Sequence, residues 1–136
     1  MSYIPKYITK RLIPSDSVKL EGNSIKVKFI NVISPINVEG APNNIKDFIE
    51  LKIDGELVYS KDKNTLGADV LIEYKGKTFT LDNLKQLGEN GIIATGDSLS
   101  IVAPNFKNFK VGEKHTIIFS LNLKRGFSFE IERTLQ

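Results

Sequence analysis

At 136 residues, 40% hydrophobic and 26% charged, the chain is long enough for one cored domain, too short for two and too apolar for disorder. Zero cysteines exclude a disulfide framework and a thiolate metal site, and no apolar run approaches the roughly 20 residues that cross a bilayer. The net charge of +3 is mild: residues 1–30 carry six basic and two acidic groups, 31–104 seven and eleven, and 105–136 six and three. Those basic groups alternate with apolar residues instead of gathering with aromatics on one element, so neither nucleic acid nor membrane is an expected partner.

The first stretch, "MSYIPKYITKRLIP", lacks the apolar region and cleavage site of a signal peptide, which predicts a cytoplasmic chain. Tyr3, Ile4, Tyr7, Ile8, Leu12 and Ile13 are much apolar surface for a chain end, where fraying is the default. Pro5 and Pro14 argue against one continuous helix or central strand. Residues 1–14 are therefore either an edge strand of the same domain or an arm that packs on another subunit.

A period of two then dominates. Ile25, Val27 and Phe29 alternate with Lys26 and Lys28, after which "FINVISPI" (29–36) loses the alternation at Ile30, Val32 and Ile33. This predicts a strand that leaves the core, runs under something else and ends near Ser34-Pro35. Ile36 belongs to the same apolar run, and its cover is either the N-terminal arm or a partner.

Residues 39–47, "EGAPNNIKD", read as a loop. Ile49, Leu51 and Ile53 form a strand face, and Asp54-Gly55 is the strongest hairpin signal in the chain, since a type I′ turn needs positive φ at both positions. Val70, Ile72 and Tyr74 form another face, followed by a weaker turn at Lys75-Gly76. In "TLDNLKQLG", Asp82 is placed to cap one or two helical turns that Gly88 ends. Further faces come from Leu99, Ile101 and Ala103, from Ile117, Phe119, Leu121 and Leu123, and from Phe127, Phe129 and Ile131. Ile118 breaks the polar face of its strand, and "KRGF" (124–127) offers a turn between the last two strands.

Seven to nine short strands with Gly- and Asn-rich turns predict an all-β fold. The expected architecture is one two-layer antiparallel β-sandwich over 1–136, immunoglobulin-like in outline, with at most one short helix near residues 82–87. A small closed barrel is the alternative.

No catalytic, cofactor-binding or metal-binding residue is expected. His115 is the single histidine, and no HxH, HxxxH or HExxH pattern exists, so it would need carboxylate co-ligands or a nucleophile to act on. Otherwise it is a strand-edge residue half in solvent. The carboxylates occupy outward strand positions or turns, and phosphate-cradling glycine motifs are absent. Phe106 and Phe109, three apart in a loop, either plug the end of the sandwich or form a contact surface. The candidate partner-interface residues are thus Tyr3, Ile4, Tyr7, Ile30, Val32, Ile33, Ile36, Phe106 and Phe109.

From residue 48 onward the order "FIELKIDGELV", "VLIEYKGKTFTLDNL", "GDSLSIVAP", "FKVGEKHTIIFSLNL", "FEIERTL" resembles the small β subunit of bacterial C-glycoside deglycosidases and its uncharacterised relatives. In that family a strand–DG–strand hairpin precedes a G-K-x-[YF]-T-L-D-x-L segment, and a P-x-G-x-H turn opens the penultimate strand. Here "KVGEKH" (110–115) stands in place of that turn, and "NFKNF" after Pro104 departs from the family's Gly-rich turn. The likeness covers about 85 residues, and 16–36 more loosely.

The resemblance implies an accessory, non-catalytic β subunit of a hetero-oligomeric carbon–carbon lyase. Its partner would be a TIM-barrel α subunit that holds a divalent metal, often manganese, and the acid/base groups. That subunit cleaves the C–C bond of 3-oxo-C-glycosides by β-elimination, because the keto group acidifies the C2 proton. The surplus apolar sequence predicts that the isolated chain self-associates. The alternative is a free-standing immunoglobulin-like module binding a protein or carbohydrate, although zero Trp and four Tyr equip it poorly for stacking on sugars.

Overall fold

The computed structural model describes residues 2–32, 35–37, 45–64, 70–80, 83, 86, 92–105, 107–123 and 126–136. Its strands are β1 (Ser2–Tyr3), β2 (Val18–Glu21), β3 (Ser24–Ile30), β4 (Ile36–Asn37), β5 (Ile49–Ile53), β6 (Glu56–Ser60) and β7 (Lys63–Asn64). After these come β8 (Leu71–Tyr74), β9 (Lys77–Thr80), β10 (Ile92–Ile93), β11 (Ser98–Pro104), β12 (Lys114–Leu121) and β13 (Phe127–Thr134). A seven-residue helix, α1 (Lys6–Leu12), and a 3-10 turn at Ile45–Phe48 complete the described elements.

The strands form two packed layers, a β-sandwich. One runs β1-β13-β12-β5-β6-β7 and the other β2-β3-β11-β8-β9, with β4 and β10 paired separately. Among the described residues every pairing is antiparallel except that of β1 with β13. The period-two faces fall on the expected sides. Cross-strand pairs Ile117↔Ile131 and Phe119↔Phe129, together with Phe127, meet Val27, Phe29 and Leu20 of the other layer in one apolar core. Ile118 lies on the outer face between Lys52 and Glu130, half-buried.

The predicted turns at Asp54-Gly55 and Lys75-Gly76 form, while the one expected at 124–127 lies partly outside the described residues. Asp54 and Gly55 have φ of 52° and 83°, and Lys75 and Gly76 have 48° and 79°, positive at both positions as the turn type requires. Gly126, at the entry to β13, is required for a different reason. A Cβ there would overlap the Leu121 carbonyl oxygen, so only glycine fits the approach.

The N-terminal segment departs from expectation. The two prolines do not forbid a helix; they bracket one. Pro5 (φ −60°, ψ 150°) is the N-cap, Ile13 the C-cap, and Pro14 stands just beyond, where no further helical N–H is needed. Only a helix running through both prolines is excluded. The segment also contains the edge strand, because β1 pairs with β13 and the Ile4 amide donates to the Ser128 carbonyl at 2.8 Å. Ile4, Leu12 and Ile13 sit in the main core, so much of the arm belongs to its own domain. Arg133 fixes the far end of the helix, its Nε and Nη2 donating to the Ile13 carbonyl at 2.9 and 2.5 Å. The helix expected near 82–87 falls almost wholly outside the described residues.

β3 also ends earlier than "FINVISPI" suggests, at Ile30 instead of Ser34-Pro35. There Asn31 turns the backbone toward another loop: its amide donates to the Asp97 carbonyl at 2.8 Å, and its carbonyl accepts from Gly96 at 2.7 Å.

Candidate functional site

Three places gather polar side chains or exposed apolar ones. The first is the end of the sandwich where the β5–β6 turn meets the start of β12. Asp54 owes its position to the type I′ turn, and His115 to its place as the second residue of β12. His115 Nδ1 lies 2.7 Å from Asp54 Oδ2, while Asp54 Oδ1 accepts the Thr116 amide at 2.9 Å. An ionised carboxylate only accepts, so Nδ1 carries the proton in this contact.

Nε2 is buried without a hydrogen bond, 3.5 Å from Glu113 Oε1. Phe109 covers the imidazole with ring centroids 3.9 Å apart. Phe109 is in turn clamped by Asn105, whose Oδ1 accepts its amide at 2.8 Å and whose Nδ2 donates to its carbonyl at 2.9 Å. A histidine oriented by a carboxylate has the geometry of an acid–base dyad. Here, however, the nitrogen that would meet a substrate is closed off, and the arrangement works as a clasp. His115 is less exposed than a strand-edge residue half in solvent, at 16% of its side chain.

The His115 hydrogen bond, helped by the Thr116 amide, lowers the Asp54 pKa against the opposing effect of desolvation. A depressed folded-state pKa contributes stability above the unfolded carboxylate value of about 3.9, and that contribution is lost as pH falls through the lower folded value. Asp54→Asn keeps a residue that tolerates positive φ but removes the charge. The variant should therefore lose less of its urea midpoint than the parent between about pH 7 and pH 3. Equal losses in the two proteins would show that the clasp contributes nothing.

The second place is a knot at the end of β3. Asn31, only 7% exposed, donates its side-chain amide to the Ile93 and Ala94 carbonyls at 3.1 and 3.3 Å. Beside it the Tyr74 hydroxyl donates to Asp97 Oδ2, which also accepts the Ala94 amide at 3.2 Å. Burial, then the Asp97 carboxylate, raises the Tyr74 pKa, and the Tyr74 hydrogen bond lowers that of Asp97. Sequence reading missed this knot. Its one signal was a polar Asn31 inside an apolar run, and that has no meaning until its partners, 62 and 63 residues away, are known.

The third place is α1 and the groove beside it. Lys6, Thr9 and Lys10 form one wall and residues 130–133 of β13 the other, enclosing about 450 Å³. Thr9 is buried, its hydroxyl donating to the Lys6 carbonyl at 2.9 Å. Tyr7, on the same helix, is 72% exposed.

The nine candidate interface residues therefore separate. Ile4, which follows β1 beside β13, is buried in the main core of its own domain. Val32 packs on the same core half-buried, and so does Phe109, as a plug. Ile30 is half-buried on the outer side of β3. Tyr7 alone among the described candidates is largely exposed. Tyr3 and Ile36 are described through their backbones in β1 and β4, while Ile33 and Phe106 lie outside the described residues. Val111 (63%) and Ile92 (44%) are exposed apolar residues that sequence reading did not single out.

Among the described residues no group of three or more His, Asp or Glu side chains could hold a metal ion, and no helix is long and apolar enough to cross a membrane. No model of a known protein family and no curated protein matches the chain.

Proposed function

We propose that the chain acts by contact, as the accessory, non-catalytic β subunit of a C-glycoside deglycosidase-like lyase. It docks on and supports a TIM-barrel α subunit, which holds the divalent metal and cleaves the C–C bond of 3-oxo-C-glycosides. The observation that carries the contact reading is Tyr7. A large aromatic is held 72% exposed on a helix whose opposite side is anchored in the core by Leu12 and followed by Ile13. An aromatic displayed on a rigid element offers large contact area at little entropic cost, the usual profile of an interface anchor. The closed state of His115 supports the same reading, since the one imidazole is committed to Asp54. The ordered motifs from residue 48 onward supply the lyase-subunit part of the proposal.

Co-expression with the TIM-barrel isomerase-like product of a neighbouring gene tests it. The expected result is a stoichiometric complex by light scattering, with manganese-dependent cleavage of a 3-oxo-C-glycoside that drops when this chain is left out. A monodisperse monomer that never co-elutes with the barrel, and a barrel equally active alone, would overturn the proposal.

A further inference from the structure

We infer that Asp54-Gly55 is a latent isoaspartate site and that the His115 clasp holds it shut. The pair is the one Asp-Gly step in the chain. Such a step is chemically weak, because glycine carries no side chain to shield its amide. The Gly55 nitrogen attacks Cγ of Asp54 and gives up its proton, and a carboxyl oxygen departs as water. A second water then opens the succinimide ring at the main-chain carbonyl. The chain now runs through the side-chain carbon, with its mass unchanged and its backbone longer by an atom.

The turn has no room for that atom. Asp54 and Gly55 stand at φ of 52° and 83° and close the register of Ile53 against Glu56. Isomerisation lengthens this two-residue connection and withdraws the carboxylate that meets His115.

The clasp opposes the attack at each stage. Both carboxylate oxygens are engaged, Oδ2 with His115 Nδ1 at 2.7 Å and Oδ1 with the Thr116 amide at 2.9 Å. The Asp54 amide donates to the Thr116 carbonyl at 2.8 Å, so backbone and side chain alike tie the turn to β12. Swinging Cγ onto the Gly55 nitrogen breaks these bonds. An oxygen leaves as water only from the protonated carboxyl. The His115 hydrogen bond, then the Thr116 amide, favours the ionised form and holds Asp54 below the usual carboxylate range. Phe109 in turn fixes the imidazole from above. The Asp54 side chain is itself 48% exposed, so water reaches it freely and the hydrogen bonds are what restrain the reaction. This role for the single histidine requires neither substrate nor partner, and it stands or falls apart from the proposed α subunit.

Peptide mapping of the full chain, aged folded at mildly acidic pH, reads isoaspartate at residue 54. His115→Phe keeps a ring beneath Phe109 and removes the donor. It should form isoaspartate there about tenfold faster than the parent, a factor within reach of one lost hydrogen bond to a carboxylate. Asn90-Gly91, the one Asn-Gly step, forms the same kind of ring and serves as a clock for general opening. Its deamidation should run equally in both proteins. The parent unfolded in urea should isomerise at residue 54 faster than the folded parent, which tests the protection without any variant. Equal rates at residue 54 in parent and His115→Phe, or a matching acceleration at Asn90, would overturn the inference. So would an unfolded parent that isomerises no faster than the folded one.

Discussion

Replacing Phe129 by alanine should destabilise the fold by about 3–5 kcal/mol, more than any other apolar truncation in β13. Phe129 is 1% exposed and lies mid-strand, paired with Phe119. Its ring stacks on Phe119 at 5.5 Å and on Phe127 at 6.4 Å, and meets Phe29 of the opposite layer edge-on at 6.3 Å. It therefore belongs to both layers at once, and truncation removes contacts on each side of the core. Strand backbones held in their ladders relax little into such a cavity, so the lost contacts add to the lost transfer energy. Phe127 is half-buried, and Phe127→Ala should cost less. Urea unfolding should show a lower midpoint with unchanged slope, as expected when stability and not compactness changes. A loss below about 1 kcal/mol would place the ring outside the cooperative core.

The same cluster shows how much of this molecule is written locally in its sequence. Phe119 and Phe129 are legible because alternation with Ser120 and Glu130 assigns a face without knowledge of the partner strand. Asp54-Gly55 is legible because its conformational requirement is carried by the two residues themselves. α1 is not legible. Seven residues form an unstable helix in isolation, and this one is held by Ile4, Leu12 and Ile13 in the core and by Arg133 from the last strand. The Asp54–His115 clasp joins positions 61 residues apart, so periodicity cannot announce it. Asn31 sits within an apolar run in the sequence, and in the fold it is the polar residue that follows the end of β3. The candidate site was legible as a list of surplus apolar residues, but which of them the core would claim depends on strand order, and local pattern does not encode that order.

That division gives the N-terminal segment a decisive experiment, because Tyr7 and Ile13 lie six positions apart and are expected to behave oppositely. Ile13 is 1% exposed inside the main core, and Ile13→Ala should cost about 2–5 kcal/mol of stability. Tyr7→Ala removes a ring that touches mostly solvent and should leave stability within about 0.5 kcal/mol. If the proposed barrel subunit docks on α1, the order reverses. An exposed aromatic that becomes a buried anchor contributes about 2 kcal/mol or more, so Tyr7→Ala should weaken the complex roughly 30-fold while the isolated domain melts as before. Urea unfolding of the two variants and titration calorimetry of Tyr7→Ala against the barrel measure the two effects separately. If Ile13→Ala were silent in unfolding, residues 1–14 would be an arm with no structural tie to their own domain. If Tyr7→Ala bound unchanged, the exposed ring would not be the contact, and docking would have to use another face. The helix is seated by its buried side and leaves the other free for a partner; the two substitutions test one side each.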